Sequence, residues 1–368
     1  MKSYLILEDG TVFTGTSIGA GGEVISEIVF NTSMTGYPEV LTDPSYAGQT
    51  VCMTYPLIGN YGVCAADLES AHPHVDGCIF REISRIPSNF RSEVSLSDFL
   101  RKHNIPGITG IDTRSLTKLL REKGTMNGML TTNADYDLPS VLSRLSAHSV
   151  GKVVEKVTCS EKYTLYPKNN VISSEAPQYH VALLDLGVKE NIIRSLLAKN
   201  CSVTVYPAET KAEEILSDRP DGIMLSNGPG DPKDCGPIID EVRKLYESDS
   251  VIFAICLGHQ LMALATGADT KKMKYGHRGG NHPVRDLVTG KVCITSQNHG
   301  YMVDESSLDP SVAVPAFRNV NDGTNEGLRY PGKDILTVQF HPEACPGPVD
   351  AAFLFDRFIE MMKGESHA

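Results

Sequence analysis

A chain of 368 residues, 41% hydrophobic and 21% charged, has the balance of a globular protein and enough length for two domains, each with its own core. Its 34 Lys and Arg against 45 Asp and Glu leave a formal charge of −11, which argues against nucleic acid or an anionic membrane as the main partner but not against a local basic patch. The apolar start Tyr4 to Leu7 stops at Glu8-Asp9, and no run approaches the roughly 18 apolar residues of a membrane span, so neither signal peptide nor anchor is expected.

Residues 1 to 150 read as one domain of mixed strands and helices. Leu5 to Leu7 is a short strand, and Val24 to Phe30 alternates like a half-buried one. The stretch from Phe30 to Tyr46 crowds hydroxyls, Gly36, Pro38 and Pro44 into a region too apolar for disorder, and it reads as an ordered loop or a well-capped surface turn. Leu96 to Leu100 predicts a helix that ends before Pro106, followed by a strand over Ile108 to Ile111. A second helix begins at a cap on Asp112 or Thr113, puts Leu116, Leu119 and Leu120 on one face and ends at Gly124. His72-Pro73-His74 has no third ligand at useful spacing, so no metal is expected there or elsewhere in the chain.

From 151 to 179 the chain turns polar, with Lys152, Lys156, Lys162, Lys168, Asn169, Asn170, Ser173, Ser174 and Glu175, and reads as an interdomain connection carrying a short strand or two. From 180 to 364 strands and helices alternate: strands at Val181 to Asp185, Ser202 to Tyr206, Gly222 to Leu225 and Val251 to Ile255, with helices at Lys189 to Lys199, Lys211 to Ser217 and Pro237 to Tyr246 between them. That alternation predicts a parallel sheet covered by helices on both faces, with ligands at the carboxyl ends of its strands. Residues 365 to 368 are left as a tail. The fold class expected is therefore α/β, a parallel-sheet C-terminal domain with a smaller mixed α+β N-terminal one.

One strand end carries reactive chemistry. Cys256 sits between the apolar run Val251 to Ile255 and a helix that starts at Leu257, on the sharp strand-turn-helix that exposes a nucleophile. The free N–H groups opening that helix favour a thiolate. Taken alone the same pattern also fits a buried structural cysteine. The nine cysteines are scattered, with no C-x-x-C pair, so reduced thiols in a reducing, cytosolic setting are expected.

A second strand end reads Ser226-Asn227-Gly228-Pro229-Gly230-Asp231. It fails as a dinucleotide fingerprint, because Lys233 stands where a third glycine is needed, and fits better as a source of N–H donors for an oxyanion together with Leu257. Further on, His341-Pro342-Glu343 closes the strand Ile335 to Phe340, and the i, i+2 spacing lets the carboxylate hold the imidazole. His259, three residues into the helix, points away from the thiol and reads as structural.

Cys256-Leu257-Gly258-His259-Gln260, Asn227-Gly228-Pro229-Gly230-Asp231 and His341-Pro342-Glu343 together resemble the triad type of glutamine amidotransferase domain, over residues 180 to 364. Phe30-Asn31-Thr32, Met34-Thr35-Gly36-Tyr37, Leu41-Thr42-Asp43-Pro44-Ser45-Tyr46, Gly110-Ile111-Asp112-Thr113-Arg114, Asn281-His282-Pro283-Val284 and Ser296-Gln297-Asn298-His299-Gly300-Tyr301 extend the resemblance over both domains, to the small chain of glutamine-dependent carbamoyl-phosphate synthase. Ala254 departs from the amidotransferase family's frequent Gly, and Tyr301 from the small-chain family's frequent Phe.

The resemblance implies that Cys256 is the nucleophile, His341 the base and Glu343 its partner, and that Ser45, Gly228, Gly230, Leu257, Gln260, Asn298, Gly300 and Tyr301 hold glutamine. It further implies that ammonia passes to a separate large chain, which makes carbamoyl phosphate, a precursor of arginine and pyrimidines, from bicarbonate and two ATP. ATP and magnesium would then belong to that partner, and no cofactor to this chain. A stand-alone cysteine hydrolase of glutamyl substrates, an amidotransferase subunit of another synthase and a non-catalytic scaffold on the same fold stand as alternatives, the last disfavoured by the presence of Cys256, His341 and Glu343 together.

Overall fold

The computed structural model describes residues 1 to 167 and 177 to 365, so the polar positions Lys168 to Glu175 and the last three tail residues lie outside the described residues. The chain forms two compact units, 1 to 151 and 152 onward.

The N-terminal unit has nine strands: β1 (Lys2–Leu7), β2 (Val12–Gly19), β3 (Glu23–Asn31), β4 (Gln49–Met53), β5 (Leu57–Ile58), β6 (Gly77–Phe80), β7 (Glu82–Ile83), β8 (Pro106–Thr109) and β9 (Met126–Thr131). Seven close into a barrel in the order β1-β2-β8-β6-β4-β3-β9, while β5 and β7 pair apart from it. Four helices accompany them: α1 (Tyr37–Thr42), α2 (Leu96–Lys102), α3 (Thr113–Lys123) and α4 (Leu138–Ala147). The Asp112 carboxylate caps α3 by accepting from Ser115 N at 3.0 Å, and Leu116 and Leu120 face inward against Leu5, Leu7 and Ile79. Closure leaves this sheet no edge strand, which is how short strands here avoid unpaired backbone.

The stretch from Phe30 to Tyr46 is not a surface loop. Gly36 adopts φ 82°, where a side chain is strained, and the chain then enters α1 with Pro38 in its first turn. Asp43 caps a 3₁₀ turn over Pro44–Tyr46 by accepting from Ser45 N at 2.9 Å, and Tyr37, Leu41 and Tyr46 are buried. Local caps satisfied the backbone where the composition alone suggested a loop.

The second unit holds α5 (Val154–Val157), α6 (Glu190–Ala198), α7 (Ala212–Ser217), α8 (Gly236–Glu247), α9 (Leu257–Ala265) and α10 (Phe353–Lys363). Its strands are β10 (Tyr163–Leu165), β11 (Tyr179–Asp185), β12 (Cys201–Pro207), β13 (Gly222–Leu225), β14 (Ile252–Ile255), β15 (Asp269–Asp286), β16 (Val292–Asp304), β17 (Val314–Asn319), β18 (Asn325–Arg329) and β19 (Ile335–Val338). They form one sheet, ordered β10-β12-β11-β13-β14-β19-β18-β17-β15-β16. The pairs from β12 through β19 are parallel. The described part of the polar connection packs with this unit, β10 lying antiparallel on β12 and Val153 and Val154 buried.

Alternation along the strands serves both faces. Ala182, Leu184, Ile223, Leu225, Ile252 and Ala254 pack with Val242, Leu245 and Leu261 of α8 and α9. Val181, Leu183, Met224, Phe253 and Ile255 pack with Ile192, Leu196, Leu354 and Phe358 of α6 and α10. Each of the larger side chains among them contributes about 1.5–3 kcal/mol, so truncating the fully buried Phe253 to Ala would cost about 3–5 kcal/mol. This two-sided core fixes where the parallel strands end. Beyond β19 four antiparallel strands extend the sheet, among them the long hairpin β15–β16.

Candidate active site

The carboxyl end of β14 turns sharply into α9. Cys256 takes φ 53° and ψ −103°, a conformation that side chains other than glycine rarely adopt. Three backbone bonds hold it there: Cys256 N donates to Val338 O at 2.8 Å, Gly258 N to Ser226 O at 3.0 Å, and Gln260 N to Cys256 O at 3.1 Å. A Cβ on Gly258 would meet Leu225 O at 2.5 Å, so glycine lets the helix start close against β13. The thiol donates to Asn298 O, 3.8 Å from Sγ, and Gln339 Nε2 donates to Sγ at 3.5 Å.

Just past the end of the neighbouring β19, Gln339 leads to His341, whose N–H donates to Ser296 O at 2.9 Å. His341 Nδ1 lies 2.7 Å from Glu343 Oε1, and a carboxylate only accepts, so Nδ1 carries the hydrogen. Nε2 is then left with its lone pair, buried and with no hydrogen-bond partner among the described residues. Burial alone would raise the Glu343 pKa, but the Lys189 ammonium and the His341 ring together hold it down to about 2, so the carboxylate is ionised at neutral pH.

Lys189 was not singled out in the sequence. Its ammonium sits 2.7 Å from Glu343 Oε1, both side chains almost wholly buried. The turn that delivers it is built locally: Asp185 Oδ1 accepts from Gly187 N and Val188 N at 2.9 and 2.8 Å, and Asn227 Oδ1 accepts from Lys189 N at 3.1 Å. Asn191, a turn further on, donates to the Glu343 carbonyl. Reading a lysine before a helix as an ion-pair partner needs the strand order, which no local signal gives.

The glycine loop follows β13. A Cβ on Gly228 would meet Leu186 O at 2.2 Å and Leu257 Cδ2 at 2.7 Å, and Gly230 has φ 93°, so both positions require glycine. Leu257 opens α9, where the first N–H groups have no intrahelical acceptor. Gln260, 3% exposed, donates its amide to Tyr301 O and to Gln339 Oε1, each at 2.9 Å, which ties α9 to β16 and β19. Asn298, Gly300 and Tyr301 lie in sequence along β16, on the side of the thiol that Asn298 O marks. Ser45 belongs to the N-terminal unit, buried in its 3₁₀ turn.

His259 turns the other way. It is fully buried with Nδ1 2.8 Å from Thr337 Oγ1, and burial pushes its pKa down to about 3, so it stays neutral and structural. All nine cysteines are free thiols. No helix of the described residues is long and apolar enough to cross a membrane.

A thiol on a strained elbow, a histidine held by an ionised carboxylate and a glycine loop beside a helix start lie at neighbouring strand ends, and residues 182–361 match the class-I glutamine amidotransferase family. Residues 5–130 match the CPSase domain of the carbamoyl-phosphate synthase small chain. The chain is 49% identical over 360 residues to the carbamoyl phosphate synthase small chain of Clostridium perfringens, covering 98% of this chain and 99% of the relative. It is 50% identical over 363 residues to that of Bacillus cereus (99% and 96%) and 48% over 373 residues to that of Photorhabdus laumondii (98% and 96%). The chain belongs to the carbamoyl phosphate synthase small-chain family.

Proposed function

We propose that the C-terminal unit hydrolyses L-glutamine through Cys256, His341 and Glu343, and that the ammonia is used by a separate large chain to make carbamoyl phosphate from bicarbonate and two ATP. The observation that carries the reading is the pairing of Cys256 on its left-handed elbow with the buried His341–Glu343 dyad on the adjacent strand end. The Cys256 thiolate attacks the side-chain amide carbon, forming the C–S bond, and the oxyanion takes N–H donors from Leu257 and from Gly228 or Gly230. His341 Nε2, having taken the thiol proton, gives it to the departing nitrogen as the C–N bond breaks. Water, deprotonated by His341 Nε2, then attacks the thioester carbon, the C–S bond breaks with the proton returned to sulfur, and glutamate is released. Gln260, Asn298, Gly300 and Tyr301 line the substrate side. ATP and magnesium belong to the partner, and this chain uses no cofactor of its own.

The test is peptide mapping after treatment with a reactive glutamine analogue, with glutamine as competitor. A single adduct on Cys256 that glutamine prevents supports the assignment. Cys256→Ser should abolish glutamine use while the assembled enzyme still accepts free ammonia, and glutamine use that persists in this variant overturns it.

A further inference from the structure

A second charged cluster lies in the hairpin that carries Asn298 to Tyr301. His277 on β15 stands opposite His299 on β16 in the strand register. Its Nε2 is 2.8 Å from Asp322 Oδ2, in the turn between β17 and β18, and its Nδ1 is 3.3 Å from Glu326 Oε1 on β18. Glu326 has no exposed surface, and its Oε1 also accepts from Asn319 Nδ2 at 3.0 Å. Two routes lead from this cluster to the thiol side. The Glu326 carbonyl accepts the N–H of Gln339 at 2.9 Å, and the Gln339 side chain contacts Cys256 Sγ. The His277 ring meets the His299 ring edge-on at 5.0 Å, and His299 Nδ1 lies 2.7 Å from Tyr301 O, the carbonyl that Gln260 also reaches.

We propose that His277, as an imidazolium held between Asp322 and Glu326, is a positioning residue for glutamine binding, acting through Gln339 and through His299 without touching the substrate. The inference rests on the glutaminase reading above and deepens it. His277, His299 and Glu326 also bring three possible metal-ligand atoms within 4.8 Å of one another. A proton accounts for the arrangement better than a metal, because both nitrogens of His299 are engaged, by Tyr301 O and by Gln297, and His277 itself supplies the cation between the two carboxylates.

The titratable groups facing His277 are Asp322, Glu326, His282 and His299, and Arg278 follows it along β15. Burial alone would lower the His277 pKa, but Asp322 and Glu326 together raise it to about 9. Burial and the neighbouring His277 charge push His282 down to about 4 and His299 well below its ordinary value, so both remain neutral. Asp322 is held below the usual carboxylate range by His277 and Thr324 despite its burial. The clamp is therefore charged at neutral pH and opens as pH rises through about 9.

The experiment measures KM and kcat for glutamine against pH in the enzyme assembled with its large chain, for the wild type, His277→Asn, His277→Lys and Asp322→Asn. His277→Asn should raise KM about 3- to 30-fold, the range that coupling through a network supports, with kcat changed by less than about threefold. His277→Lys, which keeps the charge, should recover part of that loss. The ammonium of free glutamine titrates in the same alkaline range, so the displacement between variants decides the matter. Asp322→Asn, at a half-exposed position that spares the fold, removes one carboxylate and should move the alkaline rise in KM to lower pH. Unchanged KM in His277→Asn, or an alkaline rise that Asp322→Asn leaves in place, overturns the proposal. Glutamine-protected labelling of Cys256 in the wild type separates the two readings: its absence removes the glutaminase assignment itself, and its presence with unmoved KM profiles removes only the role of His277.

Discussion

Lys189→Met isolates the charge that keeps Glu343 ionised. The Glu343 carboxylate is lowered from an ordinary glutamate value to about 2 against its own burial, by the Lys189 charge and by the His341 ring. At 1.36 kcal/mol per pH unit the whole depression is worth roughly 3 kcal/mol, shared between Lys189 and His341. If that support acts on the imidazolium formed during attack, kcat for glutamine hydrolysis falls by up to about 10²-fold, the bound set by the whole depression. KM changes little, because the ammonium acts on Glu343.

The pH dependence has a definite sign. A depressed carboxylate contributes stability above its unfolded pKa, near 4.3, and loses it as pH falls toward about 2. Without Lys189 the folded pKa rises, so the acid limb of kcat moves to higher pH. The stability gap between variant and wild type is then widest at neutral pH and closes as both carboxylates protonate. The assay is glutamate release by the assembled synthase over pH 5 to 9, with ammonia-dependent synthesis as the control that should not change. A kcat within about twofold of wild type and an unshifted acid limb would refute the argument, since a buried ion pair that loses one member cannot be neutral to its partner.

Two further substitutions probe the walls of the site. Gly228→Ala places a Cβ 2.2 Å from Leu186 O, so the loop must move and its N–H donors with it; glutamine hydrolysis should fall by about 10²-fold, the usual loss for one oxyanion donor, measured as kcat. Gln339→Leu removes the donor to Cys256 Sγ and leaves the Gln260 amide with Tyr301 O alone; KM for glutamine should rise about 3- to 10-fold, the effect of one lost hydrogen bond, in steady-state kinetics.

What could be read from the sequence was what neighbours in sequence determine. The parallel strands β11, β13 and β14 are short apolar runs between helices of regular period, and Cys256 falls on a strand-to-helix turn that five apolar residues announce. His341 and Glu343 are two positions apart, so their contact follows from local backbone. The antiparallel half of the sheet gave no such signal. β15 mixes lysines, glycines and histidines, with register shifts between Lys272 and His277 and between Gly279 and His282, so no alternation of period two survives along it. Lys189 and Gln339 acquire their roles only once β11, β13, β14 and β19 are placed side by side, 154 or 83 residues of sequence away from their partners. The buried path from Phe30 to Tyr46 was obscured for another reason, because its polar side chains are caps whose value appears only in the folded backbone.

The elbow itself shows how the fold bears the cost of the site. A non-glycine residue held at φ 53° is strained by about 1–3 kcal/mol, and the residue cannot relax because each end of its turn is tied to a different strand. Val338 O takes its N–H, and Ser226 O takes that of Gly258, so the turn is fastened to β19 on one side and to the end of β13 on the other. Those strands are fixed in turn by side chains remote from the chemistry, Leu225 against α9 on one face and Val338 and Phe253 against α10 on the other. The strain is therefore balanced by ordinary core packing, and none of the groups that face the thiol is needed to maintain it. Gln339 and the Asn298 carbonyl, which do face it, remain available to orient sulfur, and His341 Nε2 is left with its lone pair uncommitted. In this arrangement the parallel half of the sheet positions Cys256, and the antiparallel half supplies the Asn298 carbonyl that faces it and, through the Glu326 carbonyl, a backbone tie to Gln339.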